Sequence, residues 1–375
     1  MLNKNINSMM GGGARYGALD GLRVLACIGI VLMHVMVNNS VKPSANFFIT
    51  NVVSFTGNFV LLFMMVSAYS LSCGYYNRFR DGNISMNDFY RKRYVRILPF
   101  FSLLVIIDII QTFFSENFSL TNSMLAASCE AYADLTLVFG LLPDAKITVI
   151  GVGWFLGIIF LFYMLYPFFT FLIYNKKRAW TTLFLSVILY FIVEVYFVPT
   201  KGVVFNSKNI LYCAPYFIAG GLIFLYRRDI AMWSSRRYMR IQNHKWLLLL
   251  VVGYTIIFFA YPSYRIHLFS NLLLYALWLL YAVAESSSSQ GYSFLNNKFM
   301  AFLSNISMEI YLCHMMFFRV VEKAHLERHI NNDDWNYWLT CLLALIGAVA
   351  FSLAWKWAEK KFCNINISWL SARQH

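Results

Sequence analysis

Apolar windows of about twenty residues return along the whole chain with only short polar breaks between them, and this recurrence limits the fold more than any motif does. The windows lie at about 19–38, 52–74, 95–115, 148–174, 179–198, 208–226, 245–261, 266–284, 297–320 and 336–358. Each is long enough to cross a bilayer, which takes about 20 mostly apolar residues. In lipid only helices and closed barrels satisfy their own backbone, and runs of this length are helical. The expectation is an all-α polytopic bundle of about ten spans, forming one membrane domain over 1–375 with a short polar leader, 1–18, and a short tail, 360–375. Composition agrees, because 59% of residues are apolar and only 13% are charged, where a soluble domain carries about 25%.

The charges that remain are arranged by loop. Arg78, Arg80, Arg91, Lys92, Arg93 and Arg96 fall in one break, Lys176, Lys177 and Arg178 in the next but one, and Arg227, Arg228, Arg236, Arg237 and Arg240 in the next but one again. Basic residues mark cytoplasmic loops, so both termini are expected in the cytoplasm, which an even number of spans allows. The net charge of +14 is then mostly topology beside anionic lipid, and nucleic acid is not an expected partner. The first apolar run lacks a small-residue cleavage site and is read as a retained span. The seven scattered cysteines show neither disulfide nor metal spacing and read as packing residues.

Within the first span, LDGLRVLACIGIVLMHVM, Asp20, Arg23 and His34 stand where lipid penalises polar groups. Eleven residues separate Arg23 from His34, which on a helix brings both to within roughly 20° of one face, about 16 Å apart. Asp20 is one turn before Arg23 and is expected to pair with it. In DFYRKRYVRILPFF, Arg91, Arg93 and Arg96 sit at the mouth of the third span, either as topogenic anchors or as forks for phosphate oxygens. Glu309 and His314 lie in the apolar body of the ninth span and are candidates for a substrate or proton pathway. Trp154 opens the fourth span, as an interfacial belt residue or a site residue. Ser67, Ala68, Ser70, Ser72 and Gly74 in the second span read as small residues for close helix packing. The stretches 116–148 and 323–336 are the polar surfaces large enough for a hydrophilic partner, 229–245 reads as a basic surface helix, and ESSSSQG at 285–291 as a flexible linker. There is no internal repeat, P-loop, nucleophile elbow or zinc signature.

Taken in order, the Arg and His of span one, then FVLLFMMVSAYSL, RKRYVRILPFF, VGWFLGIIFLFYMLYPFF, YCAPYFIAGGLIFLYR and ISMEIYLCH, resemble the acyltransferase-3 family of integral-membrane O-acyltransferases nearly end to end. Ala68 and Met308 depart from the Gly and Tyr usual in that family. The hydrolase-like domain fused to some members is expected to be absent. The resemblance implies transfer of an acyl group, usually acetyl, from cytoplasmic acetyl-CoA or another acyl-CoA to a hydroxyl of a glycan or lipid-linked sugar. The expected setting is the inner membrane of a bacterium, with membrane lipids as surroundings.

On that reading His34 is the candidate base, placed about two-thirds of the way across the hydrocarbon. Arg23 with Asp20, and Arg91, Arg93 and Arg96, would hold the acyl-CoA phosphates or steady charge at the thioester. No metal and no tightly bound cofactor is required. The rival readings are a transporter or flippase, in which these residues form a relay and broken helices would occur in matched halves, and a glycan-binding scaffold.

Overall fold

A computed structural model describes residues 16–115, 122–137, 151–235, 240–287 and 293–372. Among these, helix is the main regular structure, joined by short irregular connections, with no strand. The helices, in order, are α1 (Gly17–Asn38), α2 (Phe48–Arg80), α3 (Met86–Ser115), α4 (Asn122–Thr136), α5 (Trp154–Met164), α6 (Tyr166–Leu172), α7 (Lys176–Lys201), α8 (Ile210–Leu225), α9 (Arg227–Ser235), α10 (Arg240–Ala260), α11 (Leu268–Ser287), α12 (Lys298–Asn305), α13 (Ser307–Glu322) and α14 (Asp333–Ala372).

Six of them are long and apolar enough to cross a membrane alone, namely α1, α2, α3, α7, α11 and α14. Three further spans arise if each bent pair is taken as one: α5 with α6 at 60°, α8 with α9 at 56°, and α12 with α13 at 67°. The apolar stretch His244–Ala260 in α10 is shorter. The described residues thus supply six to nine candidate spans against the ten expected runs: those at 148–174 and 297–320 are bent, that at 208–226 ends at a bend, and that at 245–261 is the shorter stretch in α10. One bend is chemical: Pro167, in the first turn of α6, has no N–H to continue the ladder of α5. Another is tertiary. At Ile306 the backbone N–H bonds to the Leu303 carbonyl, and the chain turns so that α12 and α13 both reach α1.

The core runs through α1, α2, α8, α11 and α13, whereas α7 keeps only 17% of its most apolar window buried and turns Trp180, Phe184, Leu185 and Ile188 outward. Lipid gives little reward for burying an apolar side chain against another helix, so close approach of backbones matters more. Gly220 supplies it: a Cβ there would stand 2.1 Å from the Met65 carbonyl oxygen and 3.0 Å from the Ala68 Cβ. Ala68 is fully buried at that crossing, which accounts for a small residue at this departure from the family pattern.

One expectation about a connection changes. Glu285, Ser286 and Ser287 belong to α11 and not to a linker, because the Ser286 hydroxyl accepts from the Ala18 amide at 3.0 Å and donates to the Ala282 carbonyl at 2.8 Å. Residues 288–292 of that stretch lie outside the described residues. The stretch 116–148 contains α4, with 116–121 and 138–150 outside the described residues, and the surface helix read at 229–245 falls on α9 and α10 with 236–239 likewise outside.

Candidate functional site

Asp20, Cys27 and His34 follow one another at intervals of seven residues, two helical turns, and form a single seam along α1. The bent pair α12–α13 closes on that seam. The Ser304 hydroxyl donates to Asp20 Oδ1 at 2.8 Å, the Cys27 thiol donates to the Ser307 carbonyl at 3.4 Å, and His34 Nδ1 lies 3.0 Å from His314 Nε2. Arg23 stands one turn from Asp20 and bridges away from the seam, with Nη1 3.4 Å from Asp20 Oδ1 and Nη2 donating to the Ser70 hydroxyl of α2 at 2.6 Å. Asp20 is thus buried between a cation and a hydroxyl donor, at 5% exposure, as a buried carboxylate requires.

The two imidazoles are stacked, with centroids 5.1 Å apart and planes at 28°, and His314 is fully buried. Their contacts allow one proton arrangement when both rings are neutral. His314 Nδ1 is 2.7 Å from the Tyr311 carbonyl oxygen. A carbonyl only accepts, so that nitrogen carries the proton and His314 Nε2 keeps its lone pair. His34 Nδ1 must then donate to it, which leaves His34 Nε2 as an unprotonated base. His314 and the Tyr311 carbonyl together fix the tautomer of His34, the role an orienting partner plays for a catalytic histidine.

Beside this seam, at the end where Arg93 and Arg96 lie, is a cavity of about 370 Å³ between α1, α2, α3, α5 and α12–α13. Arg23, Ser67, Ser70, Tyr75, Arg93 and Arg96 supply polar walls; Phe63, Phe155, Ile159 and Met308 supply apolar ones. Arg93 is held in place: Nη2 donates to the Tyr75 hydroxyl at 2.7 Å and the guanidinium lies 4.9 Å from the Tyr75 ring centre and 5.9 Å from that of Tyr163. Fixing a guanidinium over aromatic faces removes rotamer freedom before an anion arrives. Neither histidine is part of this lining. Tyr311 connects the two places, since its ring lines the cavity while its carbonyl holds His314.

Of the residues singled out in the sequence, Arg23, Arg93 and Arg96 meet at this cavity, and Asp20 supports it from behind. The α3 helix begins at Met86, so Arg93 and Arg96 are two to three turns along it, where its charged first part gives way to the apolar part. Arg91 is turned to a neighbouring groove that also holds Lys92, Asp88, Lys356 and Glu359 and shares Arg93, Arg96 and Asn305 with the cavity. Glu309 is elsewhere: its carboxylate, 2% exposed, is 2.8 Å from Lys356 Nζ and ties α13 to α14. Trp154 starts α5 and packs edge-on to Phe155, outside the cavity lining. Ser67 and Ser70, read from sequence as packing residues, are on the cavity wall, and Tyr75, Tyr163, Ser304 and Tyr311 were not singled out at all. The signal for Tyr311 was present in its position three residues before His314, one turn of the same helix.

Residues 16–357 match the family model of the acyltransferase domain designated acyltransferase-3. No curated protein and no solved structure matches the chain. The match covers nearly the whole chain, and the protein belongs to the acyltransferase-3 family of membrane proteins.

Proposed function

We propose that this acyltransferase moves an acyl group, acetyl before any longer chain, from acyl-CoA to a hydroxyl of a cell-envelope glycan or lipid-linked sugar in a bacterial inner membrane. The observation that carries the reading is the His34–His314 pair behind a cavity lined by Arg23, Arg93 and Arg96. The basic end of the bundle is the cytoplasmic one on the positive-inside rule, so the donor comes from the side where acyl-CoA is made. Its phosphates meet Arg93 and Arg96, with Arg91 in the adjoining groove, and its thioester arm runs past the apolar wall toward Tyr311.

A sugar hydroxyl is a weak nucleophile at neutral pH. His34 Nε2 takes its proton as the oxygen attacks the thioester carbonyl carbon, and the proton returns to the sulfur as the C–S bond breaks, releasing free CoA thiol and the ester. Arg23, anchored on Asp20 and Ser70, is about three turns from His34 along α1 and so acts on the donor side only, holding the donor's phosphates together with Arg93 and Arg96. No metal takes part in the scheme.

Purified protein in nanodiscs, given acetyl-CoA and envelope glycan, is expected to release free thiol and to add acetyl groups to the glycan, both dependent on the glycan. Glycan from cells with and without the gene should differ by the same acetyl group in mass spectra. Thiol release at the rate of empty nanodiscs, together with identical glycan spectra, would overturn the assignment.

A further inference from the structure

A second and larger cavity, about 730 Å³, lies further along α3 and α13, away from the basic end. Its polar wall consists of Asp108, Gln111, Arg319, Glu322 and Lys323. Its other wall is apolar, with Ile107, Leu312, Met316 and Val320. Asp108 belongs to the membrane span Met86–Gln111, where a carboxylate costs free energy and is kept only for a purpose. Its ion pair with Arg319 is long, 3.9 Å, and Arg319 is well exposed.

The two cavities are neighbours with one wall between them. On one side of it Tyr311, Phe155 and Leu156 line the basic-end cavity, and on the other Leu312 and Gly151 line the second. The wall is closed by the Tyr311 hydroxyl, which donates to the Val152 carbonyl at 2.8 Å, and both groups are buried. His314 is on the next turn of the same helix. His314 itself lines neither cavity, but its neighbours Leu312, Met315 and Met316 line the second, so a molecule there and a thioester in the first would lie on opposite sides of Tyr311, within a turn or so of His314 along α13.

We propose that the second cavity is the acceptor site and that its occupant is a sugar carried on an apolar chain. This rests on the acyl-transfer reading above, which it extends to the second substrate. Two carboxylates with an amide and two cations offer acceptors and donors together, which suits the hydroxyls of an uncharged sugar. With the two carboxylates balanced by Arg319 and Lys323 the lining has no net charge, so it offers an anion no excess of cations. A bare lipid chain would have no use for Asp108. The apolar wall alongside takes the chain, and the exposed ring of Phe114 offers a face for the sugar's C–H groups.

The test uses the full chain in nanodiscs and octyl glucoside bearing a diazirine on its alkyl chain as probe. Photolabelling is expected within 104–114 or 312–323, competed by plain octyl glucoside and not by octanol. Asp108→Asn and Glu322→Gln each remove a charged acceptor, and labelling should fall about tenfold in either, with insertion intact. Use of two variants keeps the result readable if one inserts poorly. His34→Ala should label as the parent does, so the labelling stands apart from catalysis. Failure of acyl transfer in every assay would overturn the proposed function and leave the labelling to decide this site. Labelling elsewhere, equal competition by octanol, or undiminished labelling in both variants would overturn the acceptor site.

Discussion

The two ends of the α1 seam differ in kind. At the Arg23 end the polar groups border open space: the guanidinium is braced by Asp20 and Ser70 and still lines a cavity. At the His34 end the polar groups face each other, and His314 is sealed from solvent. The first arrangement suits binding, because a braced cation can meet a ligand without rearranging. The second suits proton transfer, because a closed hydrogen-bond chain fixes which nitrogen is basic. The same helix thus separates holding a substrate from reacting with it by about three turns.

Substitutions at the two ends should separate in the same way. The largest effect is expected for His34→Ala, which removes the base: transfer should fall about 10³-fold, with unchanged insertion and unchanged acyl-CoA binding. Residual transfer near the parent rate would remove His34 from the chemistry. His314→Phe retains a buried ring but withdraws the acceptor from His34 Nδ1, and kcat should fall about tenfold to a hundredfold. The donor KM should stay put. A change in KM with constant kcat would show that His314 shapes the cavity and does not position the base.

At the binding end the signature inverts. Arg93→Lys or Arg96→Lys keeps the charge and loses the planar fork, so the donor KM should rise about tenfold while kcat holds. Equal KM in both variants would return these residues to membrane anchoring. Asp20→Asn should act least, about threefold on donor KM, since Ser304 and Ser70 still border the site. A loss as large as that of His34→Ala would mean that the two ends are not separable.

How much of this was legible beforehand follows from what each feature depends on. Hydropathy located the helices, because it is a property of each segment alone, whereas the one face expected for Arg23 and His34 does not foretell that Arg23 reaches Ser70 on α2 and His34 reaches His314 on α13. Broken helices were not seen in the sequence, since only the bend at Tyr166 carries a proline; the bend at Ile306 is set by what α12 and α13 touch. The histidine pair was hidden for the same reason. His34 and His314 are 280 residues apart and meet only through the register of two helices. Ser70 looked like a spacer because a small side chain in a span packs well, and its partner Arg23 is on another helix. Glu309 looked like a relay because its counter-charge, Lys356, lies on the last span.

That last pairing bears on how the protein is made. Emerging from the ribosome, α13 presents Glu309 to the membrane before Lys356 has been translated. An unpaired acid within the bent span α12–α13 disfavours lateral release into lipid. Once α14 follows through the short connection at 323–332, the two charges neutralise each other across the hairpin. The final pair of helices is thereby fitted to leave the insertion machinery together, and a chain cut short before Lys356 would lose the partner that lets its penultimate span settle.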